Sequence, residues 1–97
     1  MTHTDYPALH EQVAATVVDD HAVVILADDG IVNVLNPLGT RIWALIDGRR
    51  TVGDIAAVIA SEYDVRPEVA ELDTAEFLQT LVDTRAVVLQ PSAVEGL

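Results

Sequence analysis

The chain of 97 residues has no cysteine and no lysine, few aromatic side chains and no long apolar run. Without cysteine it can form no disulfide, thiolate zinc site or iron–sulfur cluster, and nothing argues for export, so the expected location is a reducing cytoplasm. The longest apolar runs, six residues each at Ala22 to Ala27 and Ile55 to Ala60, are far shorter than the about 20 residues of a membrane-spanning helix. The sequence therefore indicates a cytoplasmic protein that does not cross a membrane.

Positive charge is also scarce. Five arginines face 16 aspartates and glutamates, which gives a formal net charge of -11 and an isoelectric point of about 4.2. Phosphate backbones and anionic membrane surfaces attract clustered cations and repel such a chain. Nucleic acid and membrane are therefore not expected partners.

Apolar residues make up 51% of the chain, enough for one domain with its own core. Residues 1–11 show no sustained period and contain a proline, so we expect a flexible lead-in there. Residues 12–90 carry the regular patterns of a domain, and residues 91–97 form a small, polar tail. The chain shows no internal repeat or low-complexity segment.

Short segments rich in valine and isoleucine open the domain. Val13–Val18, Ala22–Ala27 and Ile31–Leu35 are separated by Asp19-Asp20 and by Asp28-Asp29-Gly30, which are typical of hairpin turns. The middle segment is apolar at every position, as expected of a central strand. The pattern predicts a three-stranded antiparallel meander in which the first and third strands are edges.

Capping residues then predict a succession of helices. Asn36 is a suitable N-cap with Pro37 at the first helical position, and Asp47-Gly48 stops the first helix. Thr51 and Asp54 resemble a capping box that opens the second helix, and Pro67 begins a third that runs to about Thr84. Together these elements predict an α+β fold in which a three-stranded antiparallel sheet packs on three helices. A short strand or wing at Val87–Leu89 makes the arrangement similar to a winged helix-turn-helix.

The third helix carries two stripes at helical spacing. The first is an ordinary core face: Ala70, Thr74, Phe77, Leu78 and Leu81. The second lies roughly opposite: Leu72, Ala75, Gln79, Val82 and Ala86. Part of the sheet or the C-terminal segment covers this second stripe, or a partner does; spacing alone leaves both alternatives open.

Residues with catalytic spacing are not found. His3, His10 and His21 form no metal-binding pattern, and most carboxylates fall in turns or on outer helix faces. No serine has a nucleophile motif, and the glycines are isolated, so no phosphate-binding loop is indicated. We expect a protein without catalytic residues, metal or cofactor. DNA binding is not expected either, because residues 62–85 carry seven acids against two arginines.

An ordered set of segments resembles the PqqD family over residues 13–89. The set comprises Leu35 to Gly48, Arg50 to Val52, Glu62 to Val65, Asp73, Phe77-Leu78 and Leu81. The resemblance implies a recognition element for ribosomally synthesised and post-translationally modified peptides (RiPPs), related to winged helices but binding a precursor's leader peptide. It further implies that the leader adds as a strand to the third strand, beside the third helix, and is delivered to a partner enzyme.

The residues themselves agree with this implication at two places. The third strand has no lysine, proline or inward charge to protect its edge, and the second stripe would form the other wall of a groove. The first strand is equally unprotected, so only the resemblance selects the third. The predicted peptide-binding residues are Ile31, Val32, Asn33, Val34, Leu35, Leu72, Ala75, Gln79 and Val82.

Within the family, the Asp-Asp-Gly hairpin that runs into Leu-Asn-Pro and a first helix with Trp43 looks most like the lasso-peptide group. That group implies a separate leader peptidase as the partner. One alternative is a pyrroloquinoline quinone (PQQ) pathway, in which a chaperone hands the precursor to a radical S-adenosylmethionine enzyme. Another is a small structural or regulatory subunit that uses the same apolar surfaces to join a larger complex.

Overall fold

The computed structural model describes residues 3–27 and 30–93. Five strands and three helices follow one another in the order β1 (Tyr6–Leu9), β2 (Val13–Val18), β3 (His21–Leu26), β4 (Ile31–Val34), α1 (Pro37–Leu45), α2 (Val52–Tyr63), α3 (Pro67–Asp83) and β5 (Val87–Gln90). The predicted α+β fold with a three-stranded antiparallel sheet and three helices is confirmed.

The meander is formed by β2, β3 and β4 in that order, with β3 in the centre. Val18 pairs with His21 across a two-residue turn in which Asp19 and Asp20 have φ angles of 51° and 66°. This left-handed backbone twists in the sense that a tight hairpin requires. Asp28 and Asp29 of the second predicted turn lie outside the described residues. Gly30, which follows them, has a φ of 65°, a conformation that glycine adopts without strain.

The predicted N-terminal caps of α1 and α2 are confirmed, whereas α1 ends at Leu45, before the predicted stop at Asp47-Gly48, with Ile46 in extended backbone. The side chain of Asn36 accepts a hydrogen bond from the Gly39 amide at the start of α1. Thr51 and Asp54 form the reciprocal capping box of α2, each side chain bonded to the other residue's backbone amide. At α3, Pro67 occupies the first turn and Arg66 makes no capping bond with its side chain.

The lead-in differs from its prediction. Residues 6–9 form β1, which pairs antiparallel with β5, so regular structure begins well inside residues 1–11. Pro7 is tolerated because it lies at a non-hydrogen-bonded position opposite Leu89, where an N–H would not bond to β5. Its carbonyl accepts a hydrogen bond from the Gly48 amide. The periodicity of the sequence does not predict this strand, because it has only four residues and its pairing partner, β5, lies at the other end of the domain. Of the predicted tail, residues 91–93 have no helix or strand and residues 94–97 lie outside the described part.

One face of the meander and one face of each helix enclose the core. From β3 the buried side chains are Ala22, Val24 and Leu26, which α1 packs against. From α3 they are Ala70, Thr74, Leu78 and Leu81, four of the five residues of the predicted core stripe. Phe77, the fifth, is only partly buried because it borders the surface cleft described below.

Candidate functional site

Strand β4 presents a backbone edge with hydrogen-bonding groups that no other described strand pairs with. The amide of Leu35 donates to the carbonyl of Ala22, at 2.8 Å, which makes these two residues a hydrogen-bonded pair. Because antiparallel pairs alternate, residues 31 and 33 also bond to β3, whereas Val32 and Val34 direct their N–H and C=O groups away from it. The edge thus offers four backbone groups from two residues.

The two faces of β4 differ. Val32 and Val34 lie on the outer face of the sheet and are 59% and 67% exposed. Ile31 and Asn33 pair with the buried residues of β3 and point towards the helical side. Leu35, just beyond the strand, is buried. A peptide strand added to this edge would place alternate side chains on the helical side and on the outer side.

The end of β4 is fixed to α1. The carbonyl of Leu35 accepts a hydrogen bond from Thr40 Oγ1 and lies 2.7 Å from His21 Nδ1. Thr40 Oγ1 in turn accepts from the Ala22 amide, at 2.9 Å. These contacts hold the chain rigidly where it passes from the strand into the helix.

A cleft of about 300 Å³ opens at this point, between the first turns of α1 and the middle of α3. Its lining residues are Asn36, Leu38, Gly39, Ile42, Asp73, Glu76, Phe77 and Thr80. Asn36 follows β4 by two residues, so the cleft begins close to the end of the strand. In this arrangement the strand edge can pair with a peptide backbone, and the nearby cleft can bind one of the peptide's side chains.

Phe77 forms the floor of the cleft and rests against Gly39. A Cβ atom added to Gly39 would lie 2.8 Å from Phe77 Cε1 and 3.0 Å from Cζ, closer than carbon atoms can approach. The absence of a side chain at position 39 therefore allows the ring to lie against α1. The floor is aromatic and aliphatic, while the rim is polar.

The rim of the cleft is acidic. Asp73 and Glu76 are exposed, and no arginine is among the lining residues. Arg41 on α1 instead forms a two-bond ion pair with Glu62 of α2, at 2.8 and 2.6 Å. The hydrogen bond from Arg41 lowers the pKa of Glu62 below its usual value, and the same bond raises the pKa of the guanidinium.

A second groove, of about 380 Å³, lies between α2 and the beginning of α3. Small side chains such as Ala56, Ala57 and Ala60 line it, and all of its lining residues lie between Gly53 and Glu71, far along the chain from β4. The first cleft, in contrast, includes Asn36, two residues beyond the end of β4.

Comparison with known proteins decides the family. The profile of the family described as coenzyme PQQ synthesis protein D (PqqD) matches residues 22–87, from β3 to the start of β5. The chain belongs to the PqqD family. No curated protein matches it.

Solved structures resemble this PqqD-family protein over most of its length. TbiB1 in complex with the TbiA(beta) leader peptide is 26% identical, with a TM-score of 0.77 over 82% of this chain and 93% of that one. Lasso peptide synthetase B1 complexed with the leader peptide is 25% identical, with a TM-score of 0.75 over 84% and 96% of the two chains. The predicted resemblance to RiPP recognition elements is confirmed.

A third structure is the PqqD truncation of Methylobacterium extorquens PqqCD, described as a functional and stand-alone RiPP recognition element. It is 25% identical to this chain, with a TM-score of 0.75 over 90% of this chain and 93% of that one. The lasso peptide synthetase B1 and PqqD structures thus match this chain with the same identity and the same TM-score.

The residues predicted on the third strand lie together along the β4 edge. Val32, Asn33 and Val34 are accessible there, as is Ile31. Leu35 is buried and both of its backbone groups bond within the protein. Its contribution would be to hold the edge in place.

The residues predicted on the third helix lie elsewhere than in the cleft. Leu72 is 60% exposed, Gln79 bonds to Asp83, and Ala75 and Val82 are partly buried. None of these four lines the cleft. The residues that do, Asp73, Glu76, Phe77 and Thr80, also follow helical spacing, but three of them are polar and gave no apolar stripe to detect.

Neither a metal nor a membrane is indicated by the described residues. Within residues 3–27 and 30–93, no group of three or more His, Asp or Glu side chains is placed to hold a metal ion. No helix in the same ranges is long and apolar enough to cross a membrane.

Proposed function

We propose that the chain binds the leader of a RiPP precursor by strand addition to β4, with leader side chains entering the cleft between α1 and α3. The observation that carries this proposal is a free strand edge, β4, whose chain reaches the lining of a cleft at Asn36, two residues beyond the strand. The leader-bound structures that the chain resembles support it.

Strand addition explains the backbone arrangement. Val32 and Val34 offer two N–H donors and two C=O acceptors, so an extended peptide would make up to four main-chain hydrogen bonds. Such bonds contribute about 0.5–1.5 kcal/mol each and read no sequence. Sequence selection would therefore come from alternate side chains that point towards the helices.

The choice of β4 over β2 rests on the position of the cleft. The outer edge of β2 is also unpaired in the described part of the chain, but β2 is the opposite edge of the sheet, whereas Asn36 of the cleft follows β4 by two residues. A peptide on β2 would gain backbone bonds without a pocket for its side chains.

Delivery to an enzyme is the second part of the proposal. We infer that the protein has no catalytic role of its own and presents the bound precursor to a partner in the cytoplasm. For a lasso-peptide pathway the partner is a separate leader peptidase. For a PQQ-type pathway it is a radical S-adenosylmethionine enzyme, a candidate supported by the PqqD match.

Binding is tested with a fluorescently labelled leader of the precursor encoded beside this chain, titrated in an anisotropy assay. Thr80→Tyr places a ring in the cleft, and Gln79→Tyr makes the same addition one residue away on another face of α3. Both positions are exposed, so both variants should fold. We expect Thr80→Tyr to weaken binding at least about tenfold and Gln79→Tyr less than about twofold.

Different outcomes contradict different parts of the proposal. If neither the wild-type chain nor either variant binds the leader, the proposed function is wrong. If Gln79→Tyr weakens binding and Thr80→Tyr does not, the stripe that includes Leu72 and Val82 forms the wall instead of the cleft. A chain that binds the partner enzyme tightly but never the isolated leader would be a structural subunit.

A further inference from the structure

The cleft combines an apolar floor with an acidic rim. Phe77 and Leu38 provide aromatic and aliphatic surface, and Asp73 and Glu76 stand three residues apart on α3, on neighbouring positions of the helix surface. Two carboxylates at this spacing repel each other, and a cation between them would remove the repulsion. The volume of about 300 Å³ is small for a cofactor but suits one long side chain.

The ion pairs of the described residues leave these two carboxylates without a cationic partner. They join His3 to Glu71, Arg41 to Glu62 and Arg50 to Asp47. Arg41 is the arginine of α1, and both of its bonds go to α2, away from the cleft. A positive charge at the rim would therefore have to come from the bound molecule.

We propose that the peptide recognised by this protein carries a lysine or arginine whose stem lies on Phe77 and whose charged head lies between Asp73 and Glu76. The proposal rests on the leader-binding function proposed above and names the side chain that the cleft selects. Lysine and arginine suit both parts of the cleft, because their aliphatic stems pack on apolar surface while the head stays in water. The ring of Phe77 adds a favourable cation–π contact.

The position of this basic residue follows from the edge. Asn36 borders the cleft two residues beyond β4, so the basic residue of the peptide lies at the Leu35 end of the paired segment. Only side chains on the helical side of the added strand can enter the cleft, whereas neighbours opposite Val32 and Val34 point outwards. One basic residue at one position is therefore expected, and not a generally basic peptide.

The experiment selects peptides without knowledge of the natural leader. A phage library of random peptides of about twelve residues, longer than a typical strand, is panned on the wild-type chain and on three variants. Asp73→Asn with Glu76→Gln removes the acidic rim. Asp64→Asn with Glu68→Gln makes the same change of net charge outside the cleft. Val34→Pro blocks the edge and identifies the peptides that depend on it.

We expect edge-dependent peptides from the wild type and from the Asp64/Glu68 control to share one lysine or arginine position. Peptides selected on the Asp73/Glu76 variant should lack it. In anisotropy titrations, changing that residue to methionine should weaken binding to the wild type about twofold to fivefold, as for exposed ion pairs. The same change should have little effect on binding to the Asp73/Glu76 variant.

Edge-dependent peptides with no basic preference, or with the same preference on the Asp73/Glu76 variant, would overturn the inference and leave the proposed function in place. Failure to recover any peptide that depends on Val34 would overturn both.

Discussion

Replacing Val34 with proline should abolish peptide binding without unfolding the protein. Val34 lies at a non-hydrogen-bonded position opposite Val23, so its N–H points away from β3. Proline removes that donor and places its ring where an added strand would approach. Edge strands tolerate proline for the same reason, because the missing N–H belongs to no ladder.

The magnitude follows from the groups involved. The lost hydrogen bond contributes about 0.5–1.5 kcal/mol, and the ring prevents close approach of the peptide backbone, so affinity should fall at least about tenfold. The folded state loses little, because the Val34 side chain is 67% exposed. The free energy of unfolding should therefore change by less than about 1 kcal/mol.

The opposite edge provides a matched control. The Ala27 amide donates to the Gln12 carbonyl, so alternation along β2 directs the Val17 backbone groups away from β3 as well. Val17 is 64% exposed, much like Val34. Val17→Pro should have a similar effect on stability and no effect on binding.

Two assays on the same samples separate the effects. Urea unfolding is followed by the fluorescence of Trp43, the single tryptophan, which is 9% exposed and so reports on the core. Leader binding is measured by anisotropy. Equal loss of affinity in Val17→Pro and Val34→Pro, or undiminished binding by Val34→Pro, would refute strand addition at β4.

The remaining predictions concern stability. Thr74→Val should raise the free energy of unfolding by about 1 kcal/mol in urea titrations, because the buried hydroxyl has no hydrogen-bond partner; a decrease would mean that the hydroxyl is bonded. Asp19→Asn with Asp20→Gly should add about 1 kcal/mol by relieving the left-handed turn, and no gain would contradict the turn assignment. Burial opposes ionisation of Asp47, but hydrogen bonds from the Arg49 and Arg50 amides outweigh it and lower its pKa. The ionised Asp47 carboxylate should stabilise the fold at neutral pH, and this effect should be lost as pH falls through the lowered pKa. In Asp47→Asn the free energy of unfolding should therefore fall less steeply with decreasing pH than in the wild type. An equally steep fall in both proteins would contradict this.

Much of the fold could be predicted because its signals are local. The turn at Asp19-Asp20, the Asn36 cap and the capping box at Thr51 each depend on a few adjacent residues, and the structure has all three. Strand β1 has no comparable signal. It forms by pairing with β5, which lies at the other end of the domain's sequence. Four residues that include a proline do not predict such a pairing.

The site was predictable only in part, for a similar physical reason. An unprotected edge can be recognised from composition, and residues 31–34 lie on such an edge, but composition alone does not distinguish it from the edge of β2. The face of α3 that lines the cleft is determined by the packing of α1 beside α3, which is a tertiary feature. The sequence pattern instead favoured the apolar residues on another face of α3. A search for apolar stripes does not detect a cleft with a polar rim, so the predicted residues did not include Asp73, Glu76 and Thr80, which line the cleft of the proposed function.

Amide exchange of the free and leader-bound protein tests the central claim most directly. Strand addition at β4 predicts that the amides of Val32 and Val34 exchange rapidly in the free protein and become protected when the leader binds. The amides of Ala15 and Val17 on the other edge should continue to exchange rapidly. Protection of the β2 amides, or bound leader with Val32 and Val34 still unprotected, would contradict the account.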